Sequence, residues 1–343
     1  MNVEQYLRDK LINCSKVDLR PVDQEFLDKN GVEEFIFRML MSKKFRKWKV
    51  GEEYIQELKE SVQHAVKNQI PINTTWFFGG YKLWSLPSSP EADWAELFNI
   101  HYILRYAIQI AEVYKPGIVM TYWAANPSIM KRQSNIPEEN CLIYHKSFRK
   151  LLESFQNYLP NNIKLELRVF EELYKDKKEY HNELESLIKE VENEYESWSP
   201  ERKEKKERSS LLNIQWQGAE DWSRLTESAK QDKIKSGPIV HDSFCRLSKI
   251  NQAIRGLGKV DLTANPLPKH NSITIGTTKT SITKFWTGVG ILEKKGDSYS
   301  DRILSPQQFD KIKDQPHEVV QTDLIPLKNF KEIWVYPEEL RFS

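Results

Sequence analysis

The spacing of apolar residues predicts helices over the first part of the chain. Apolar side chains recur every three or four positions in three segments, Val3–Leu11, Val32–Met41 and Tyr54–Val66. This spacing puts them on one face of a helix. Residues 1–70 are therefore predicted to form an N-terminal helical region.

The stretch from Pro71 to Trp123 predicts one crossover unit of a parallel sheet. Two short apolar runs, Thr74–Phe78 and Ile118–Trp123, enclose a polar loop and a helix that starts acidic and becomes apolar. Parallel strands need such a crossover helix between them. Ligands of these sheets bind outside the carboxyl ends of the strands. We therefore expect a functional site just after Phe78.

The remaining pattern predicts further helices and strands, with more strands towards the end. Residues 163–170 alternate apolar and charged side chains, which is typical of a half-exposed strand. Helices are predicted on either side, at 140–158 and 171–196, and the charged tract 201–208 is predicted to be an exposed helix or linker. Gly237–Pro238 indicates a break. Strands are then predicted at residues 239–241, 259–263, 272–276, 287–292 and 332–337.

These elements together predict the α/β class, with a Rossmann-like, mostly parallel sheet flanked by helices. An N-terminal helical region precedes the sheet, and a β-rich portion follows it. The 343 residues are enough for one large domain or two ordinary ones. We divide the chain into a helical region over 1–70, a Rossmann-like core over 71–210 and an α+β portion over 211–343 that completes the site.

Composition and charge favour a cytoplasmic globular protein. Lys and Arg number 51 against 49 Asp and Glu, and this balance argues against a dedicated nucleic-acid binder. The three cysteines are far apart, which fits reduced thiols better than a disulfide framework. The N-terminus lacks the apolar core of a signal peptide, and no apolar run approaches the ~20 residues of a membrane span.

The clearest candidate site follows the first predicted strand. A flexible Gly-Gly-Tyr turn over residues 79–81 is followed at once by Lys82. The next helix begins with three acidic residues, Glu91, Asp93 and Glu96. Acidic side chains at a helix start also suit the helix dipole, so capping and a role in a site both stay open for them.

Two weaker candidates lie elsewhere in the chain. The run GTTKTSITKFW, residues 276–286, offers amides, hydroxyls and lysines for an anion, but lacks the phosphate-loop signature; a strand with a polar face is the alternative. Cys141 and His145 are four residues apart on a predicted helix and could supply half a metal site. Because no third ligand is evident, we predict no metal site.

Several short motifs occur in an order that resembles a known family. They are FFGGYK at Phe77–Lys82, PEADWAE at Pro90–Glu96, YKPG at Tyr114–Gly117, RLS at Arg246–Ser248 and a tryptophan before a strand and an acid-Gly turn at Trp286–Gly296. The order is similar to that in the pyoverdine/dityrosine biosynthesis family, which includes the isocyanide synthases. The resemblance covers roughly residues 71–300.

The chain also departs from that family at three polar positions. Ala125-Asn126-Pro127 stands where the family has a Ser-Asp-Gly turn, and Lys249-Ile250-Asn251 stands where a histidine usually follows the RLS element. Thr287 occupies the place of another histidine. The resemblance therefore implies a divergent member.

The resemblance implies a specific kind of chemistry. Isocyanide synthases join the amino group of an amino acid to a carbon of ribulose 5-phosphate. Lys82 would attack the sugar ketone to form a Schiff base, and Glu96 and Asp93 would move protons. No redox cofactor is needed. The residues implied in binding the amino acid and the sugar phosphate are Gly79, Gly80, Tyr81, Trp84, Arg246, Thr277, Thr278, Lys279, Lys284 and Trp286.

A biosynthetic enzyme related to isocyanide synthases is thus the main hypothesis, and two alternatives stay open. The missing histidines favour a non-catalytic protein that binds small molecules on the same scaffold. A nucleic-acid-associated protein would use the basic runs at Lys43–Lys49 or Arg202–Arg208, although such runs are more often solvated helix faces.

Overall fold

The structure is a computed structural model that describes residues 2–80, 82, 89–217, 222–254, 256–264, 272–275, 285–337 and 340. Six of the site residues implied by the resemblance lie outside these ranges, namely Tyr81, Trp84, Thr277, Thr278, Lys279 and Lys284. Within the described ranges, no helix is long and apolar enough to cross a bilayer.

Three helices begin the described chain, helices separate the strands of its middle part, and its last part consists mostly of strands. The helices are α1 (Val3–Ile12), α2 (Pro21–Leu40), α3 (Glu52–Asn68), α4 (Trp94–Val113), α5 (Pro127–Ser134), α6 (Glu138–Gln156), α7 (Lys177–Tyr195), α8 (Pro200–Gln217), α9 (Glu227–Arg246), α10 (Ser248–Ile254) and α11 (Pro306–Ile312). The strands are β1 (Ile72–Phe78), β2 (Ile118–Ala124), β3 (Ile163–Val169), β4 (Lys259–Thr263), β5 (Ile273–Thr274), β6 (Val289–Lys295), β7 (Ser298–Leu304), β8 (Glu318–Gln321) and β9 (Glu332–Tyr336).

A parallel sheet forms the centre of the fold, in the order β3-β2-β1-β4-β5. Its described strand pairs are all parallel, and Ile72 of β1 lies opposite Ile118 of β2. The predicted crossover unit and the α/β class are therefore confirmed. The chain adds β2 and β3 on one side of β1 and β4 and β5 on the other. Such a reversal leaves a crevice at the carboxyl end of β1, where ligands of open α/β sheets bind.

A second, mixed sheet lies in the C-terminal part, in the order β7-β6-β9-β8. Its strand β6 crosses the start of α4 at very short range. A Cβ atom at Gly290 would lie only 2.4 Å from the Ala95 amide nitrogen. Only glycine permits this approach, which brings the second sheet against the residues that follow β1.

The N-terminal helical region is also as predicted. Helix α3 buries one face, with Tyr54, Leu58, Val62 and Ala65 in the core. The predicted N-terminal helix is present as α1, whose Leu7 and Leu11 are buried. Helix α2 is interrupted at Gly31, whose φ of 81° is not helical. These helices extend the core that the sheet begins.

The strand predicted at residues 239–241 was wrong, and so was the break at Gly237–Pro238. Both segments lie inside α9, which runs unbroken through the proline. Ile239 packs with Tyr195 and Trp198, residues near the end of α7, in a small separate core. Two apolar residues in a row, Ile239 and Val240, do not distinguish a buried helix face from a strand, and here packing against α7 decides.

The helix predicted over residues 171–196 starts later than expected. A 3-10 turn occupies Phe170–Leu173, and α7 begins after Asp176. The Asp176 carboxylate accepts a hydrogen bond from the Glu179 amide, 2.8 Å away. This N-cap sets the start of the helix.

Candidate functional site

Lys82 lies at the carboxyl end of β1 and is almost completely buried, with 1% of its surface exposed. Its Nζ donates to the carboxylates of Asp93 (3.1 Å) and Glu96 (3.0 and 3.2 Å). It also donates to the backbone carbonyl oxygens of Phe285 (2.9 Å) and Gly288 (2.7 Å). One ammonium therefore joins the segment after β1, the start of α4 and the turn before β6.

The two carboxylates are positioned by the start of α4. Asp93 is the N-cap, and its Oδ1 accepts a hydrogen bond from the Ala95 amide at 2.7 Å. Glu96 reaches back and accepts from the Asp93 amide at 2.7 Å, which completes a capping box. Asp93 and Glu96 therefore cap the helix, which is one of the two roles left open by the sequence, and they also contact Lys82. Glu91 instead accepts from the Lys328 amide.

The two carboxylates differ in how fully they are hydrogen-bonded. Glu96 accepts from Lys82, from the Asp93 amide and from the Tyr144 hydroxyl at 3.1 Å. Asp93 uses only one oxygen, and its Oδ2 is buried without a partner. Buried polar atoms are normally paired, so an unpartnered carboxylate oxygen in a charged cluster marks a place where a donor group fits.

The cluster contains two carboxyl groups and one ammonium in a site from which water is excluded. Burial raises the pKa of Asp93 and of Glu96, and the Lys82 ammonium opposes this effect. Because one ammonium balances only one carboxylate, burial favours a state in which the two carboxyl groups share one proton. They can therefore both accept and release a proton.

This shared proton predicts how stability depends on pH. Burial raises the pKa of Glu96 from 4.5 to about 8. Because the pKa of Glu96 is higher in the folded state than in the unfolded state, its contribution to the free energy of unfolding is fully present below pH 4.5. This contribution is lost as the pH rises through about 8. We expect Glu96→Gln to remove much of this loss, on the order of a few kcal/mol. Urea unfolding at a series of pH values measures it.

Two comparisons make the pH experiment specific. Glu91→Gln, a change outside the cluster, is expected to keep the wild-type slope. His145 gives the opposite dependence of stability on pH. Burial and Arg149 lower its pKa from 6.5 to about 4, so its contribution to stability is lost as the pH falls. A wild-type slope in Glu96→Gln would contradict the shared proton.

His145 lies beside the same turn, on α6. Its side chain is 2% exposed, and its Nε2 has no hydrogen-bond partner. Gly80 packs directly against it, since a Cβ at that position would lie 2.6 Å from Nε2 and 2.9 Å from the Ala124 Cβ. Gly80 also has a φ of 78°, which favours glycine. The turn after β1 is therefore held between α6 and the end of β2.

Aromatic rings form an apolar wall next to the charged cluster. Its members are Phe78, Tyr122, Tyr144, Phe148, Phe285 and Trp286. Trp286, one of the implied substrate-binding residues, packs on Phe78 with ring centroids 5.7 Å apart. The wall excludes water, which strengthens the electrostatic interactions of Lys82.

Arg246 is not part of this cluster. Its guanidinium makes two hydrogen bonds to Glu194, at 2.6 and 2.7 Å, and one to Glu190 at 2.8 Å. It lies at the end of α9 and contacts neither Lys82 nor the acids bound to it. The structure therefore brings together Lys82 and the acids, and places Arg246 in a separate ion-pair network.

Cys141 and His145, which by their spacing could supply half a metal site, are two buried side chains on α6. Cys141 is fully buried, and burial raises the pKa of its thiol to about 12. Among the described residues, no group of three His, Cys, Asp or Glu side chains is arranged to hold a metal ion.

Several residues of the site could not be recognised in the sequence. Tyr144 lies on a helix predicted only from its apolar spacing, and the sequence suggests for His145 only half of a metal site. The Lys82 carbonyl partners lie more than 200 residues further on. The sequence feature that could have indicated such partners is the charge of Lys82 itself. A buried lysine needs acceptors, but the sequence does not say from which segment they come.

Comparison with known proteins supports the fold rather than a function. No protein-family model matches the sequence, and no curated protein matches it significantly. Among solved structures, the chain is similar to PvcA from Pseudomonas aeruginosa, with a TM-score of 0.60 and 12% sequence identity. The alignment covers 89% of this chain and 100% of the PvcA chain. The protein thus shares its fold with PvcA.

Proposed function

We propose that this protein is a biosynthetic enzyme resembling the isocyanide synthases. It acts on the amino group of an amino acid or similar amine and takes a carbon from a sugar phosphate. Two observations support the proposal, namely the order of motifs over residues 71–300 and the fold shared with PvcA. The reaction site is the cluster of Lys82, Asp93 and Glu96 at the carboxyl end of β1.

The unpartnered Asp93 Oδ2 is the observation that carries this proposal. A buried carboxylate oxygen without a donor suits the N–H group of an amine substrate. The same carboxyl shares a proton with Glu96, so it accepts a proton when the amine attacks a carbonyl group. Proton transfer of this kind contributes about 10²–10⁴-fold to a rate.

Lys82 has a different role in this proposal from the nucleophile implied by the family resemblance. A Schiff base forms from a neutral amine with a free lone pair. Five oxygen atoms surround Nζ, an arrangement that suits an ammonium with all its hydrogens engaged. We therefore propose that Lys82 positions the two carboxylates and balances their charge.

The aromatic wall and the polar run of residues 276–286 would bind the side chain of the amino acid and the phosphate of the sugar. Trp286 and its aromatic neighbours suit the side chain of an aromatic amino acid. The hydroxyl and lysine residues of 277–284 remain the proposed phosphate ligands, a role that Arg246 would share only by releasing Glu190 and Glu194.

Replacing Asp93 by asparagine tests the proposal directly. Asparagine caps helices as well as aspartate, so α4 is expected to stay folded while the proton acceptor is lost. We expect the purified protein to form an isocyanide from tryptophan or tyrosine with ribulose 5-phosphate. Asp93→Asn should reduce this turnover by about 100-fold or more. Mass spectrometry of the product measures it.

The matched control is Glu91→Gln, which changes a neighbouring acid outside the cluster and should leave turnover unchanged. Binding of both substrates without conversion by the wild type would favour the non-catalytic binding protein instead. Full turnover in Asp93→Asn would remove Asp93 from the mechanism.

A further inference from the structure

Strand β3 is an edge of the parallel sheet, and half of its outer side is already protected. The Ile118 amide donates to the Asn162 carbonyl, so the even-numbered residues of β3 turn their backbone groups towards β2. The backbone N–H and C=O groups of the odd-numbered residues point away from β2, towards the open side of the sheet. There the Gln156 side chain donates to the Ile163 carbonyl (2.8 Å) and accepts from the Leu165 amide (3.1 Å), as a neighbouring strand would.

The other half of this edge is open. In the described part of the chain, no donor or acceptor meets the outward N–H and C=O of Leu167. A groove of ≈ 630 Å³ lies here between α6 and β3, lined in part by Leu165, Glu166, Leu167 and Arg168. An edge with free backbone groups is a template for another strand.

We propose that a second copy of this chain pairs with this edge, β3 against β3 in antiparallel orientation, with Leu167 opposite Leu167 of the partner subunit. The exposed side chains of β3 then match in charge. Glu166 lies opposite Arg168 of the partner subunit, and the two-fold symmetry creates this pair twice. Opposite charges that face each other across an antiparallel pair stabilise it.

The Gln156 side chain and the charged side chains of β3 disfavour the two neighbouring registers of the pair. Centring the pair on Leu165 forms both central hydrogen bonds through Leu165 amides, and Gln156 already holds this amide in each copy. Centring it on Leu167 uses the free Leu167 groups at the centre and loses only the flanking bonds from the Leu165 amides to Val169 of the partner subunit. Centring it on Glu166 puts Glu166 opposite Glu166 and Lys164 opposite Arg168 of the partner subunit, so that like charges face each other. The contact of Gln156 and the charges of β3 therefore favour the register centred on Leu167 over these two alternatives.

Charge reversal tests the pairing, with sedimentation equilibrium as the measurement. The wild type is expected to dimerise. Glu166→Arg alone, or Arg168→Glu alone, should raise the dimer dissociation constant at least about tenfold, because each places two like-charged pairs in the dimer. The double variant exchanges the charges and should restore dimerisation. Lys164→Glu, on the same face but without a charge opposite it, is the matched control and should dimerise normally.

Three outcomes would overturn the proposal. The first is a wild type that is monomeric at about 100 μM, a concentration well above a micromolar dissociation constant. The second is a single charge-reversal variant that dimerises as tightly as the wild type. The third is a double variant that stays monomeric. Arg168 also lies over the Trp123 ring, 5.2 Å from its centroid, so Arg168→Glu could loosen the fold. Glu166→Arg avoids this contact, and its thermal unfolding should match that of the wild type.

Discussion

Replacing Lys82 by methionine is expected to lower the free energy of unfolding by about 3–5 kcal/mol at neutral pH. The substitution keeps the length of the side chain but leaves Asp93 and Glu96 buried without an opposite charge. It also leaves the carbonyl oxygens of Phe285 and Gly288 without their donor. Because domains are stable by only about 5–15 kcal/mol, much of the fold's stability would be lost. Equilibrium unfolding in urea measures the change.

The cause of this loss can be separated from a general effect of removing a lysine. Lys131→Met breaks only an exposed contact with Glu138, 3.9 Å away, and should change stability by less than about 1 kcal/mol. Adding Asp93→Asn and Glu96→Gln to Lys82→Met should recover part of the loss, because neutral amides tolerate burial better than charges. An unfolding midpoint equal to that of the wild type in Lys82→Met would contradict the charge-balancing role.

Replacing Gly290 by alanine is expected to cost about 3 kcal/mol or more. The new Cβ would lie 2.4 Å from the Ala95 amide nitrogen and 2.5 Å from the Trp94 carbonyl carbon. These are backbone atoms at the start of α4, so they cannot rotate away as a flexible side chain would. Strand β6 must shift, and the capping box of Asp93 and Glu96 shifts with it. Urea unfolding and turnover should therefore both be impaired.

Gly51→Ala is the matched control for this prediction. No atom lies within 4 Å of a Cβ at that position, and its φ of −64° suits any residue. Alanine there should cost less than about 1 kcal/mol, as the N-cap of α3 has no side-chain bond to lose. Equal costs at the two glycines would show that contact with α4 is not the cause.

The parts of the fold that local sequence determines could be predicted. β1, α4 and β2 follow one another within 53 residues, Ile72 to Ala124, and each has its own apolar pattern. Lys82 and Glu96 are only 14 residues apart, so their closeness at the sheet edge follows from the crossover unit itself. For these elements, spacing along the chain implies position in space.

The remainder depends on contacts that no local pattern encodes. The Lys82 carbonyl acceptors, Phe285 and Gly288, come from a distant turn, and Tyr144 comes from a helix whose packing partner the sequence does not name. The segment 239–241 was predicted as a strand because its apolar run was judged without α7. In each case the missing information was which distant segment lies opposite.

The bond between Lys82 and the Gly288 carbonyl also bears on how the protein is made in the cell. The two residues are 206 positions apart. At synthesis rates of about 5–20 residues per second, roughly 10–40 s pass after Lys82 is added before its last acceptor exists. During that interval the lysine cannot reach its final buried state. Closure of this cluster is therefore a late event in folding, which follows the synthesis of every strand from β1 to β5.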